Sequence, residues 1–445
     1  MLRSTHASDG SNDRVLKSKY DFWSMLTFRQ VTRILTRRHS LTMAPKQPDT
    51  IHLDGTTLEG GGQLLRVALG LSSLTAKSVN ITNIRGKRYG GGGLKAQHLT
   101  SMLWLGQASN ARISGAGLKS KEITFTPSAL PSLHPDISSG DVSITQSTPG
   151  SINLVLQAVL PYLLFCGAHD PIRLRVTGGT NVSNSPSYDY VEQVLIPMLG
   201  LMGIRGMTST CHSRGWSTGS TRLGSATFSI TPLSTSLPAF QLTERGRIVS
   251  VRATIIAPRD AERDFRDNLD LMFEKRMQRI FGETREPEIE VMFEDSQHEK
   301  RYYLLLVATT SKGMRLGRDW LYDGGVRVGK AGQVVPNIVR KVSDDLIAEI
   351  QHGGCVDEWM RDQLAVFQAL AQGRSYVNGG RRDGKPVEPS LHVRTAMWVA
   401  ERIAGVEFDE EGGCEGMAFV PGGTWYSAEE GAQLAGALSR LQVSE

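Results

Sequence analysis

The sequence contains no C-x-x-C pair; its four cysteines, Cys166, Cys211, Cys355 and Cys414, are scattered. That excludes the usual zinc-site spacings and leaves reduced thiols in an intracellular protein as the expectation. A long apolar run is also missing. The longest, Leu154–Phe165, is interrupted by Gln157 and Pro161 and falls short of the ~20 residues that span a bilayer, so no membrane partner is expected. No G-x-S-x-G, H-E-x-x-H, kinase signature set or K-x-D-G is present. Gly324-Gly325-Val326-Arg327-Val328-Gly329-Lys330-Ala331 is spaced like a P-loop, but Ala331 stands where the magnesium-binding Ser or Thr is required. Standard hydrolase and kinase chemistries are therefore set aside.

The 445 residues, 40% hydrophobic and 21% charged, suffice for two or three domains with their own cores. The net charge of +5 is confined to one arm: residues 1–42 hold eight basic and three acidic side chains, and the remainder has 42 of each. A sequence pI near 9.0 suggests an RNA-binding scaffold, but the neutral body argues against one. Residues 1–49 read as a disordered basic extension, with Met43 as a possible functional start. The Arg, Ser and Thr content of that arm leaves mitochondrial import as a minor alternative, against which its three aspartates count.

From residue 50, short strand-like and longer helix-like patterns alternate. Thr50–Asp54, Ser78–Ile84 and Ile123–Thr126 read as strands around helices at Gln63–Leu74 and Leu94–Gln107. Helix Ile152–Phe165, strand Ile172–Thr177 and helix Tyr188–Leu201 suggest a repeat of that unit. Thr208–Leu237 reads as loops around the strand Ala226–Ile230. Ile248–Ile256, the charged helix Arg259–Arg285, Glu288–Phe293 and Tyr302–Thr309 outline a small module over 246–338. The interleaved acids and bases of the charged helix predict a solvated face. Val339–Gln351 is expected to return to the main body, followed by helices Trp359–Ala371 and Arg394–Ile403 around an exposed loop, Asn378–Pro389.

Four groups of residues could carry chemistry. Glu59-Gly60-Gly61-Gly62-Gln63, set between a strand and a helix start, could turn backbone N–H groups and a helix N-terminus toward an anion. A tight turn would have the same composition. Arg85, Lys87, Arg88 and Lys95 surround a second glycine run, Gly90–Gly93, and suit phosphates; a solvated loop would look alike. His98, where a helix begins, reads as a capping or core histidine. Trp359, Asp362 and Gln363 fall on one helical face, so a stacking ring and two polar groups project together, although one buried Trp with ordinary polar neighbours is the commoner arrangement. His392, after Pro389 and Ser390, opens a helix, where an accessible ring is placed to act as base, ligand or nucleophile, or simply to cap.

Taken in order, these pieces resemble the RNA 3′-terminal phosphate cyclase family. The likeness runs through Leu53-Asp54-Gly55, Glu59–Arg66, Asn83-Ile84-Arg85, Gln97-His98-Leu99, Leu154–Gln157 with Leu160-Pro161, Gly178–Asn181 and Glu244-Arg245-Gly246. It continues in Val356–Glu358, Asp362–Leu364 and Leu391-His392 with Thr395, covering about residues 50–440. The resemblance implies an α/β (α+β) fold: a large domain, 50–245 with 339–440, of three repeated units of two helices on a four-stranded sheet, and a smaller α/β domain inserted at 246–338. It implies ATP-dependent closure of an RNA 3′-phosphate to a 2′,3′-cyclic phosphodiester. His392 would be the nucleophile that carries AMP. Gln157, Pro186, Trp359, Asp362 and Gln363 would line the adenylate pocket, Glu59 would hold Mg²⁺ or Mn²⁺, and Arg66, Arg85 and Arg88 would face phosphates. The partner would be an RNA 3′-phosphate end, not DNA, and the address the nucleus.

Some positions depart from the family pattern. Trp359 replaces a tyrosine, Gly90–Gly93 replaces a Pro-Gly step and is one residue longer, and Trp216-Ser217-Thr218-Gly219-Ser220 replaces a glycine run. A sister branch keeps the fold as a non-catalytic factor in nucleolar pre-ribosomal RNA processing. It is expected to lack the nucleophile, so His392 favours the enzyme.

Overall fold

A computed structural model describes residues 50–88, 90–128, 133–277, 287–323 and 331–423. The basic extension, residues 278–286 of the charged segment and Gly324–Lys330 lie outside the described residues. The alternating Ile51–Asp54 forms strand β1 and buries Leu53. It leads through a turn into helix α1 (Gly62–Thr75), then β2 (Val79–Thr82), α2 (Ala96–Ala108), β3 (Arg112–Ser114) and β4 (Ile123–Thr126). β1 runs parallel to β2, and the antiparallel pairs β2–β4 and β4–β3 complete the order β1-β2-β4-β3. The same succession recurs in β5 (Asp141–Thr145), α3 (Ile152–Phe165), β6 (Ile172–Gly178), α4, β7 (Thr208–Ser213) and β8 (Gly224–Ile230), ordered β5-β6-β8-β7. Helix α4 runs from Tyr188 through a π-helical turn at Val191–Leu195 to Leu201.

Strand β9 (Gln241–Leu242) opens a third unit that is interrupted at once. The interruption holds β10 (Ile248–Ala257), α5 (Glu262–Met272), β11 (Glu288–Asp295), β12 (Tyr303–Thr310), β13 (Arg315–Leu321) and α6 (Val334–Gln351), with sheet order β11-β10-β12-β13. The third unit then resumes with α7 (Glu358–Leu370), β14 (Gln372–Val377), the small hairpin β15 (Arg381–Arg382) and β16 (Lys385–Pro386), α8 (Leu391–Ala404) and β17 (Gly413–Met417). Its order is β17-β14-β9, so among the described residues this sheet has three strands where four were expected.

Two apolar cores result. The larger unites the three repeats. The second corrects a boundary: Val339–Gln351 does not return to the main body. Val335, Ile338, Val342, Leu346 and Ile350 of α6 pack with Phe265, Leu269, Leu304 and Leu306, so the inserted core reaches residue 350. Helical spacing shows that a face is apolar but not which sheet it covers. Strand β12 is buried on both faces: Tyr303, Leu305 and Val307 join the large core, while Leu304, Leu306 and Ala308 join the small one. That explains the unbroken apolar run, which is the pattern of a strand covered on both sides. A second correction concerns Thr208–Ser213, expected as loop, which is an edge strand paired only with β8. Polar on both faces, it shows no alternation to read. The charged helix exposes the ion pairs Arg266–Glu262 and Arg263–Asp267 and buries Phe265, Leu269 and Met272, as a solvated face requires. All four cysteines are free thiols, and no described helix is long and apolar enough to cross a membrane.

Candidate active site

The turn between β1 and α1 reverses through Gly60, whose φ of +64° suits glycine. Gly62 is required for a different reason. A Cβ there would lie 2.7 Å from both Arg66 Nη1 and His98 Nε2, so its absence lets those two side chains meet at the start of α1. Glu59 precedes the glycines. Its carboxylate pairs with Arg88, and its backbone N–H donates to Thr395 Oγ1 at 3.1 Å. Thr395 in turn donates to the Leu391 carbonyl at 2.6 Å, so one hydroxyl ties the Glu59 turn to the first turn of α8.

That turn carries His392. Ser390 caps α8 by accepting from Val393 N, which leaves the neighbouring imidazole exposed. Partial burial, then Arg66 and Arg88, lower its pKa, with Glu358 opposing them. The ring is therefore neutral at physiological pH, with a lone pair on one nitrogen.

Arg66 donates to Gln157 Oε1 at 2.6 Å and to Gln63 Oε1. Burial lowers its pKa to about 10, and Asp362 pulls the other way. Burial raises Asp362 to about 7; Arg66 offsets part of that rise, while Asp357 and Glu358 add to it. Arg66, Gln157 and Gln363 line one small cavity of about 20 Å³, room for about one water. His98 is buried, and burial together with Arg66, Arg85 and Lys95 lowers its pKa to about 3. Its Nδ1 accepts from Lys95 N at 3.3 Å, which leaves the proton on Nε2, beside Gly62. The capping reading of this histidine thus holds, and the same ring also faces the site.

Arg85 has a φ of +54° and donates to the Gly93 carbonyl at 3.2 Å. Lys95 is lowered by burial and by the nearby charges of Arg85 and Arg88. Such crowded cations favour an anion among them. The Pro186 carbonyl accepts from Asn153 of α3 at 2.9 Å, and Pro186 does not line the cavity beside Arg66.

Trp359 is held from two sides. Tyr190 meets it edge to face at 5.5 Å, and the Arg318 guanidinium from β13 lies 4.8 Å from its ring centre. Beside it, the fully buried Asp357 caps α7 through Met360 N at 2.9 Å. It also accepts from Tyr190 Oη at 2.6 Å and from Gly317 N at 2.8 Å. The sequence offered Asp357 only as part of a motif and offered Arg318 and Tyr190 not at all, since their partners are far apart in the chain.

Three buried polar atoms in this cluster, Glu59 Oε2, Gln63 Nε2 and Asp362 Oδ1, have no hydrogen-bond partner in the protein. Buried polar groups are normally satisfied, so these atoms are available to a ligand. Glu59 Oε2 fits a divalent cation that takes one protein carboxylate and completes its shell with phosphate oxygens and water. No group of three His, Cys, Asp or Glu suited to an all-protein metal site exists among the described residues.

Comparison with known proteins adds an independent observation. The sequence model described as RNA 3′-terminal phosphate cyclase matches residues 57–409. A protein of that name from Pyrococcus furiosus is 30% identical over 366 residues, 82% of this chain and 96% of the relative. One from Desulfurococcus amylolyticus is 32% identical over 383 residues, 84% and 98% of the two chains. One from Drosophila melanogaster is 31% identical over 388 residues, 83% and 97%.

Proposed function

Because the chain belongs to the RNA 3′-terminal phosphate cyclase family, we propose that it converts RNA 3′-phosphates to 2′,3′-cyclic phosphodiesters with ATP, using His392 as the nucleophile. The observation that carries this reading is the setting of His392: an exposed, neutral imidazole in the first turn of a helix, within the electrostatic reach of Arg66 and Arg88.

In the first step the lone pair of the imidazole attacks the α-phosphorus of ATP. An N–P bond forms, the bond to the pyrophosphate oxygen breaks, and pyrophosphate leaves with the electron pair. Splitting the transfer in this way replaces one difficult displacement with easier ones. An oxygen of the RNA 3′-phosphate then attacks the same phosphorus, the N–P bond breaks, and the imidazole is regenerated. Finally the neighbouring 2′-hydroxyl attacks the activated 3′-phosphorus, AMP leaves, and the hydroxyl proton passes to solvent. Arg66, Arg85 and Arg88 supply positive charge where phosphate oxygens gather it, and they do so already oriented. Arg66 is fixed by Gln157 and Gln63. Trp359 provides the stacking surface for adenine, its orientation set by Tyr190 and Arg318. Gln157 and Gln363, which line one cavity with Arg66, together with Asp362 and Pro186, would edge the same pocket. Mg²⁺ or Mn²⁺, when bound, neutralises phosphate charge, and Glu59 is the residue that would hold it.

Incubation with α-labelled ATP and Mg²⁺ tests this. The expected result is an acid-labile, alkali-stable label on the wild type and none on His392→Ala. A wild type that never acquires label and leaves RNA 3′-phosphates open would refute the reading and return the protein to the non-catalytic processing role.

A further inference from the structure

A second cleft, of about 360 Å³, shares no lining residue with the cavity beside Arg66. Arg214, Trp216 and Arg222 line it from the second repeat, and Glu294, Asp295 and Arg301 from the inserted module. It includes Trp216, the first residue of the Trp216–Ser220 segment, whose departure from the family pattern the reaction leaves unexplained.

The charges in this cleft are unevenly matched. Arg214 donates to Asp189 at 2.7 and 2.9 Å and to Glu294 at 2.7 Å, so one guanidinium occupies two carboxylates. Asp295 accepts from Gln297 N at 2.8 Å and lies 3.9 Å from Arg259. Arg301 and Arg222, by contrast, have no carboxylate partner among the described residues. Arg301 is only 5% exposed, its guanidinium lies 5.2 Å from the Trp216 ring centre, and Nη2 donates to the Ser220 carbonyl at 2.6 Å. Its Nε is buried and has no partner in the protein. An unpaired buried donor on a charged group is costly, and the charge of Arg222 adds repulsion.

The Arg301 guanidinium is held in place, whereas Arg222 is anchored through its backbone and its side chain is exposed. Trp216 N donates to the Arg222 carbonyl at 2.8 Å and Arg222 N to the Trp216 carbonyl at 3.2 Å, closing a tight loop. Ser220 N donates to His298 Nε2 at 3.3 Å, joining that loop to the inserted module. Trp216 is 1% exposed, so it backs the guanidinium and offers no face for a base. Chemistry with one fixed arginine, a second exposed arginine beside it, one orphaned N–H and no open aromatic face suits an oxyanion.

We propose that this cleft binds a phosphate oxyanion between Arg301 and Arg222. The phosphate is either a backbone phosphodiester of a bound RNA strand, in which case the inference rests on the RNA reading above, or a free phosphate. The test uses the full chain and its Arg222→Gln and Arg301→Gln variants. Binding of a fluorescent single-stranded 12-nucleotide RNA ending in a 3′-hydroxyl is measured across a salt series, and binding of inorganic phosphate by ³¹P line broadening. If the strand is the ligand, each variant binds the RNA about three- to tenfold more weakly, with a log–log salt slope shallower by about 0.7, the value for one single-strand phosphate. If free phosphate is the ligand, each variant loses part of the phosphate broadening while RNA binding is unchanged. Arg301 is packed against Trp216, so its variant is read only if its melting temperature matches the wild type. The exposed Arg222 supplies the second measurement, and an Arg222→Gln variant indistinguishable from wild type toward both probes overturns the proposal. An RNA with a 3′-hydroxyl is not a substrate, so these readouts are independent of whether His392 becomes adenylated.

Discussion

Asp357 gives the most stringent test of how the inserted module and the helix that carries Trp359 are joined. Its carboxylate is fully buried and accepts three hydrogen bonds, with Tyr190 Oη and Met360 N on Oδ1 and Gly317 N on Oδ2. Burial raises its pKa, while Arg318 and these donors hold it down. Asp357→Ala removes a helix cap, a loss of about 1 kcal/mol. It also leaves buried donors unsatisfied at about 1–3 kcal/mol each. Tyr190 can turn its hydroxyl, so the non-additive total is about 3–5 kcal/mol, a large part of the roughly 5–15 kcal/mol that holds a protein folded. Asp357→Asn separates the contributions. Whichever way the amide is placed, its NH2 faces a backbone N–H, of Gly317 or of Met360, so one bond is lost and the effect is about 1–3 kcal/mol. Urea unfolding of the three proteins measures both. A loss below about 1 kcal/mol for Asp357→Ala would refute the view that this carboxylate binds β13 to α7.

Other outcomes follow from the same geometry. Burial raises Asp362 to about 7 from 3.8, so the folded state holds that proton more tightly. Its contribution to stability is present below about pH 4 and is lost as pH rises through about 7. Asp362→Asn should flatten the melting profile across that window, and parallel profiles for variant and wild type would remove the assignment. Glu59→Ala should weaken the metal dependence of adenylation, because Glu59 Oε2 is the orphaned oxygen available to a cation; an unchanged titration with Mg²⁺ would contradict its role. In a chain begun at Met43, RNA affinity should fall only shallowly with salt, since the body holds equal numbers of basic and acidic side chains and grips through few phosphates. A log–log slope steeper than about −4, equivalent to some six single-strand phosphates, would be inconsistent with that surface.

Much of the architecture was legible because burial leaves a periodic signature. Helix α8 and strands β1 and β6 bury regular faces, and helices α1 and α3, buried nearly all round, carry dense apolar runs, so their patterns could be read directly. Strands β7, β14 and β17 could not: β7 is polar on both faces, and β17 is largely glycine and polar residues. The allegiance of α6 was illegible for another reason, since its apolar face fits either core. At the site, residue types marked Glu59, Arg66, Asp362, Gln363 and His392 only as weak local signals, and it was their order along the chain that joined them. What no local pattern could show is the support around Trp359. Tyr190 and Asp357 are 167 residues apart in sequence, and Gly317 and Asp357 are 40 apart, so those bonds exist only once the insert has folded onto the second and third repeats.

That support changes what the insert means for the site. A module added between β9 and α7 need only avoid obstructing the pocket, yet this one shares a core with it through Tyr303, Leu305 and Val307. Tyr303 Oη is 2.6 Å from Ser187 Oγ and donates to Asp319 at 3.0 Å, in a buried network beside α4. Gly317 N completes the cap of α7, and Arg318 covers Trp359 while pairing with Glu349 and Glu358. The Gly317 and Arg318 contacts act on the end of α7 that carries Trp359 and leads to Asp362 and Gln363. The ring that would stack on adenine is therefore oriented from outside its own repeat. Positioning within about half an ångström is what separates a productive site from a loose one, so substitutions in β13 that touch no nucleotide should register first in nucleotide binding.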